Sequence, residues 1–132
     1  MTRILVVDDD NDIRHALVTI MRHQGYVVDE AASVDEALKL LERRPTLILL
    51  DIDMPVRTGI ELMLEMRHDE RFVKTPVVLI TAYPDRSRAM QLSDVGAKEV
   101  IAKPFNLKHV VKIVQGLIGV SGVSQWTRRD AG

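Results

Sequence analysis

The sequence predicts a single α/β domain, a parallel sheet covered by helices on both faces. Three observations predict it. Short aliphatic runs alternate with longer stretches of helical period, a βαβα rhythm. A length of 132 residues with 46% hydrophobic and 28% charged content suits one compact unit able to bury a core, without room for a second. No segment approaches the roughly 20 apolar residues of a membrane span, and the apolar run Ile4 to Val7 is too short for the core of a signal peptide.

The elements follow in order. Arg3 to Val7 reads as the first strand, and Ile13, Ala16, Leu17 and Ile20 then recur at i, i+3, i+4, i+7 as the buried face of a first helix. Val27 to Ala31 is the second strand. Ser33 and Glu36 form an S-x-x-E capping box ahead of Ala37, Leu40 and Leu41 in a second helix. The charged run Glu42 to Arg44 reads as its end. Leu47 to Leu50 is the third strand, and Ile60, Met63 and Leu64 open a third helix after Gly59. Pro76 to Thr81 is the fourth strand, Asp85 a cap for a fourth helix that Gly96 ends. Glu99 to Ala102 is the fifth strand, and from Asn106 the residues Leu107, Val110, Val111, Val114 and Ile118 line one side of a fifth helix. Residues 121–132 lose the period, so the expectation is a domain over residues 1–120 and a tail or linker stub over 121–132, with Trp126 either free or docked.

Formal net charge is −1, so there is no global basic field for nucleic acid or an anionic membrane. Function has to come from a local site. The absence of cysteine excludes disulfides, thiolate metal sites and a cysteine nucleophile. Neither a P-loop nor a G-x-G-x-x-G is present, which counts against nucleotide binding. His15, His23, His68 and His109 have no convergent metal spacing and read as solvated helix positions, while Met21, Met54, Met63, Met66 and Met90 read as packing residues. The expected compartment is the cytoplasm.

In an open α/β sheet, ligands bind beyond the carboxyl ends of the strands. The first strand ends in Asp8, Asp9 and Asp10, the third in Asp51, the fourth in Thr81 and the fifth in Lys103. Parallel strands bring these ends to one edge. Clustered carboxylates with one ammonium and one hydroxyl supply hard oxygen ligands for Mg2+, a cation, and a donor for a phosphoryl oxygen. Any one acidic residue there would read as a turn former or helix cap. Four strand ends agreeing point to a site.

At this point the residues resemble the receiver domains of two-component response regulators, such as the chemotaxis receiver. The matching pieces are ILVVDDD, LLDIDMPVRTG with its D-x-x-M-P-x-x-x-G spacing, VVLITA and GAKEVIAKPF, over about residues 3–119. Each is weak alone, and their order and spacing are specific. The resemblance implies a doubly wound five-stranded sheet of order 2-1-3-4-5 with five helices, the flavodoxin-like arrangement. It implies Asp51 as phosphoacceptor, and Asp8, Asp9 and the backbone carbonyl of Asp53 as partners of Mg2+ or Mn2+. Thr81 is then the hydroxyl that closes on the phosphoryl group, and Lys103, ahead of a cis Pro104, binds another of its oxygens. A carboxylate repels an anionic phosphoryl group, so metal and Lys103 have to neutralise the equatorial oxygens. Without metal, close carboxylates raise pKa values within the group.

The resemblance further implies a sensor histidine kinase or histidine phosphotransfer protein as donor. The signal would leave through the face of helix four, strand five and helix five, to a protein target or a fused output domain, with homodimerisation on phosphorylation open. Two positions depart from the family. Val100 stands where many receivers carry an aromatic residue, which puts an aromatic rotor in doubt, and Tyr83 is the alternative ring. Asp53 and Tyr83 occupy the variable positions that tune hydrolysis, and Asp53 is either a charge near the metal or a solvated side chain whose backbone alone matters. An FMN carrier would share the sheet, but its phosphate would meet three aspartates. A Mg2+-dependent phosphohydrolase with an aspartyl-phosphate intermediate would share the chemistry and is the alternative.

Overall fold

The computed structural model describes residues 2–83, 91–94 and 96–119. Strands β1 (Arg3–Val7), β2 (Val27–Ala31), β3 (Leu47–Asp51), β4 (Val77–Thr81) and β5 (Glu99–Ala102) form one parallel sheet in the order β2-β1-β3-β4-β5. Helices α1 (Asn11–His23), α2 (Val34–Leu40), α3 (Gly59–Arg67), the helical residues 91–94 labelled α4, and α5 (Leu107–Ile118) connect them. A short 3-10 turn over Leu41–Arg43 extends α2 and ends at Arg44 in the left-handed region, so the charged run is a helix end. Asp85, Met90, Trp126 and the rest of 121–132 lie outside the described residues.

Strand alternation sorts the core into two layers. Ile4, Val6, Leu47, Leu49, Val78, Ile80 and Ile101 pack with Leu17, Val18 and Met21 of α1 and Val110 and Val114 of α5. Leu5, Val7, Ile48, Leu50, Val77 and Leu79 pack on the other face with Ala37 of α2, Leu62, Met63 and Met66 of α3, and Leu92. All five residues of β3 are buried, as its central place requires. Each aliphatic side chain so buried contributes about 1.5–3 kcal/mol.

Two helix faces differ from the sequence reading. On α1 the fully buried residues are Leu17, Val18 and Met21, with Ile13 and Ile20 at the margin of the same cluster. The spacing finds the apolar arc, but the sheet beneath decides its centre. On α3 the buried residues are Gly59, Leu62, Met63 and Met66, while Leu64 is 43% exposed. Gly59 explains this rotation: a Cβ there would lie 2.9 Å from both Asp51 O and Ile52 Cα, so this position must face the sheet. Leu64, five residues on at about 100° per residue, then points well away from it.

Helix starts follow the expected chemistry. Ser33 Oγ accepts the Glu36 N–H at 3.1 Å, and Glu36 Oε1 accepts the Ala32 N–H at 3.0 Å, one residue earlier than the usual reciprocal bond. Asn106 caps α5 through the Lys108 N–H at 2.7 Å. Gly96, with φ +98, follows the residues of α4 and donates its N–H to Ser93 O at 2.9 Å.

Candidate functional site

Register brings the predicted strand ends together. Val7 pairs with Leu50, Asp51 with Ile80 and Thr81 with Ala102, so Asp8, Asp51, Thr81 and Lys103 arrive at one edge of the sheet. Alternation then divides them. Asp8, Asp51 and Lys103 fall in phase with the layer under α1 and α5, whereas Thr81 falls in phase with Val77 and Leu79 on the opposite face.

Asp51 is 2% exposed, and both of its oxygens are held. Oδ1 accepts the Asp53 N–H at 2.9 Å and Oδ2 accepts the Lys103 ammonium at 3.1 Å. The Lys103–Pro104 peptide is cis, the isomer that the resemblance implies. Lys103 Nζ also lies 3.8 Å from Asp8 Oδ2. Burial draws the Lys103 pKa down, but the hydrogen bond to Asp51 and the charges of Asp8, Asp51 and Asp53 outweigh it, and the net shift is upward.

Asp8 is fully buried. Its Oδ1 accepts the Asp10 N–H at 2.9 Å, its backbone carbonyl accepts from Arg14 Nη1 at 2.9 Å, and its Oδ2 has no hydrogen-bond partner among the described residues. The Asp8 carboxyl is pushed up to about 6, chiefly by burial and further by the Asp51 carboxylate, against the Asp10 N–H and Lys103, which pull it down.

Oxygens of Asp8, Asp9 and Asp51 lie within 4.8 Å of one another, with Asp9 open to solvent. An orphaned buried oxygen beside two further carboxylates fits a hard divalent cation such as Mg2+, which keeps several waters and takes few protein oxygens. Asp10, the third aspartate of the run, does something else: its Oδ1 accepts the Asp12 and Ile13 N–H groups at 2.9 and 3.1 Å as the N-cap of α1.

Thr81 is buried, and its hydroxyl meets Asp53 rather than Asp51. Thr81 Oγ1 donates to Asp53 Oδ2 at 2.8 Å, and the Ala82 N–H donates to that same oxygen at 3.0 Å. Of the two alternatives for Asp53, the solvated side chain does not match this geometry: its carboxylate joins the segment after β3 to Thr81 and Ala82. Tyr83 joins by its backbone, giving its N–H to Thr81 Oγ1 at 3.0 Å, while the residue is 65% exposed. Val100 is half-buried against the layer under α2 and α3. The four histidines are all exposed and stay apart from the site.

Two participants escape a reading of side-chain motifs. The Ala82 N–H is a backbone donor, so residue type carries no signal for it. Arg57 ties the loop after Asp51 to its neighbours through Asp35 at 2.9 Å, Glu61 at 3.2 Å and Glu65, which raises its pKa further. The i, i+4 spacing of Arg57 and Glu61 is the signal that could have found it.

A family profile described as response regulator receiver domain matches residues 4–115. The transcriptional regulatory protein ResD of Bacillus subtilis is 38% identical over 118 residues, 89% of this chain and 48% of that protein. The phosphate regulon transcriptional regulatory protein PhoB of Pseudomonas aeruginosa is 33% identical over 120 residues, 90% of this chain and 52% of that protein. The chain thus spans about half the length of these curated relatives. Among solved structures, the Vibrio cholerae chemotaxis protein CheY4 superposes with a TM-score of 0.84 at 31% identity, covering 89% of this chain and 98% of that one. The Thermotoga maritima response regulator TrrA, crystallised with Mg2+ and BeF, gives 0.77 at 36% identity, covering 89% and 99%.

Proposed function

The chain belongs to the response regulator receiver domain family, a family of signalling switches, and from that premise we propose that Asp51 accepts a phosphoryl group from a phosphohistidine on a sensor kinase or a histidine phosphotransfer protein. The observation that carries the assignment is the placement of Asp51: a buried carboxylate at the end of the central strand, oriented through both oxygens and 3.1 Å from Lys103.

In the transfer, an Asp51 oxygen attacks phosphorus, the P–N bond breaks and the imidazole nitrogen takes up a proton. Lys103 holds one phosphoryl oxygen and offsets the repulsion between the two anions. Asp8, Asp9 and Asp51, with the Asp53 carbonyl, would hold Mg2+ or Mn2+. When bound, the metal supplies positive charge that neutralises phosphoryl oxygens. The cation complexed by the Thermotoga relative supports this choice.

A hollow of about 620 Å3 opens beside Lys103, lined by Ile13, Ala16, Ala82, Phe105 and Leu107. It offers the phosphohistidine-bearing partner an apolar seat next to the acceptor. The output is a downstream protein target or a fused domain, with residues 1–120 as the receiver unit in a cytoplasmic relay. The phosphohydrolase alternative gains no support over this reading. Incubation with labelled acetyl phosphate and Mg2+ tests the assignment: wild type takes up label and Asp51→Ala does not. Full labelling of the variant would sink it.

A further inference from the structure

The Asp53 carboxylate engages the Thr81 hydroxyl, the group that the resemblance assigns to a phosphoryl oxygen. Its Oδ2 collects two donors, the Thr81 hydroxyl at 2.8 Å and the Ala82 N–H at 3.0 Å. Two donors converging on one anionic oxygen make the kind of cradle that holds a phosphoryl oxygen. The Thr81 hydroxyl has one proton to give, and its oxygen already accepts the Tyr83 N–H at 3.0 Å. While its proton goes to Asp53, it cannot go to a phosphoryl group.

We infer that Asp53 is a resident competitor for the phosphoryl-binding donors, a positioning residue that engages Thr81 and Ala82 before phosphorylation and must give them up when Asp51 is phosphorylated. This rests on the reading of Thr81 as the hydroxyl that closes on the phosphoryl group. Phosphorylation is then an exchange of one anionic acceptor for another. Thr81 and the Ala82 N–H have an anionic acceptor in both states, and the new anion has to displace the old one. Asp53→Asn would keep an acceptor oxygen without the charge, whereas Asp53→Ala would remove both.

The test compares wild type, Asp53→Asn and Asp53→Ala by amide hydrogen exchange at Ala82, first without phosphate analogue. Asp53→Asn should keep much of the protection, and Asp53→Ala should exchange about tenfold faster or more, as loss of a hydrogen bond to a charged group implies. Beryllofluoride with Mg2+ then stands in for the phosphoryl group. In wild type the Ala82 amide should be protected before and after its addition. In Asp53→Ala it should gain protection only after, with tighter beryllofluoride binding than in Asp53→Asn.

Equal Ala82 exchange in all three analogue-free proteins would overturn the inference. So would equal gains in beryllofluoride affinity in the two variants, since charge alone would then account for them. Failure of the phosphoacceptor reading looks different: Asp51→Ala would label as wild type does, and the competition would fall while the analogue-free exchange differences remained.

Discussion

Asp8 Oδ2 and Lys103 Nζ stand 3.8 Å apart, within ion-pair range yet too far for a hydrogen bond, so a buried carboxylate oxygen faces a cation that does not satisfy it. An unsatisfied buried polar group carries its desolvation cost uncompensated. The strand end is thereby less stable than it would be with a neutral or metal-bound group in that place.

The sign of the pH dependence follows from the Asp8 carboxyl lying at about 6 in the folded chain against an ordinary value of 3.8. The folded state binds this proton more tightly than the unfolded state, so the group's contribution to stability falls as pH rises from about 4 to about 6. In EDTA, Asp8→Asn is expected to melt above wild type at about pH 7.5, and the gap should close near pH 4. Mg2+ affinity of wild type should drop by up to about tenfold per pH unit below about 6, because binding needs the ionised carboxylate. Thermal melts and Mg2+ titrations across this range check both. A metal-free Asp8→Asn less stable than wild type at neutral pH would contradict the account.

Gly59→Ala should destabilise the domain although alanine is the better helix former by about 1 kcal/mol. Its Cβ would lie 2.9 Å from Asp51 O and Ile52 Cα, and neither backbone atom can step aside without moving the acceptor. Overpacking of this kind costs about 1–3 kcal/mol. Urea unfolding measures the loss, and unchanged or increased stability would show that β3 can yield.

Arg67 joins α3 to the segment after α4 through backbone carbonyls. Its Nη1 donates to Phe72 O at 3.2 Å and Val73 O at 3.1 Å, and Nη2 to Gly96 O at 3.1 Å. Burial lowers its pKa. A lysine ammonium is a point charge and cannot span these acceptors. Arg67→Lys is therefore expected to cost about 1–3 kcal/mol, the range for buried groups left unpaired. Chemical denaturation reads the loss, and a lysine variant as stable as wild type would refute the clamp.

The strands are legible in the sequence because a strand buried on both faces has to be aliphatic throughout, and Ile4 to Val7, Leu47 to Leu50 and Val77 to Ile80 are. Caps are legible for a local reason too, since Ser33 and Asn106 act on N–H groups within three residues. Helix rotation is less so. Leu64 belongs to the apolar count of α3, yet the close approach of Gly59 to β3 turns it outward, and no spacing within the helix contains that contact.

The sequence by itself determined the order of elements, the family, and the delivery of Asp8, Asp51, Thr81 and Lys103 to one edge, because strand periodicity and strand ends are local properties of the chain. Only the tertiary structure decided what those groups do to one another. Asp10 turns to the helix behind it as a cap, Asp8 keeps an unpaired oxygen, and Thr81, on the opposite phase of the sheet from Asp51, gives its proton to Asp53. The Asp10 cap is local, but the other two outcomes depend on register between strands and on segments 28 residues apart meeting in space, which no pattern along the chain encodes.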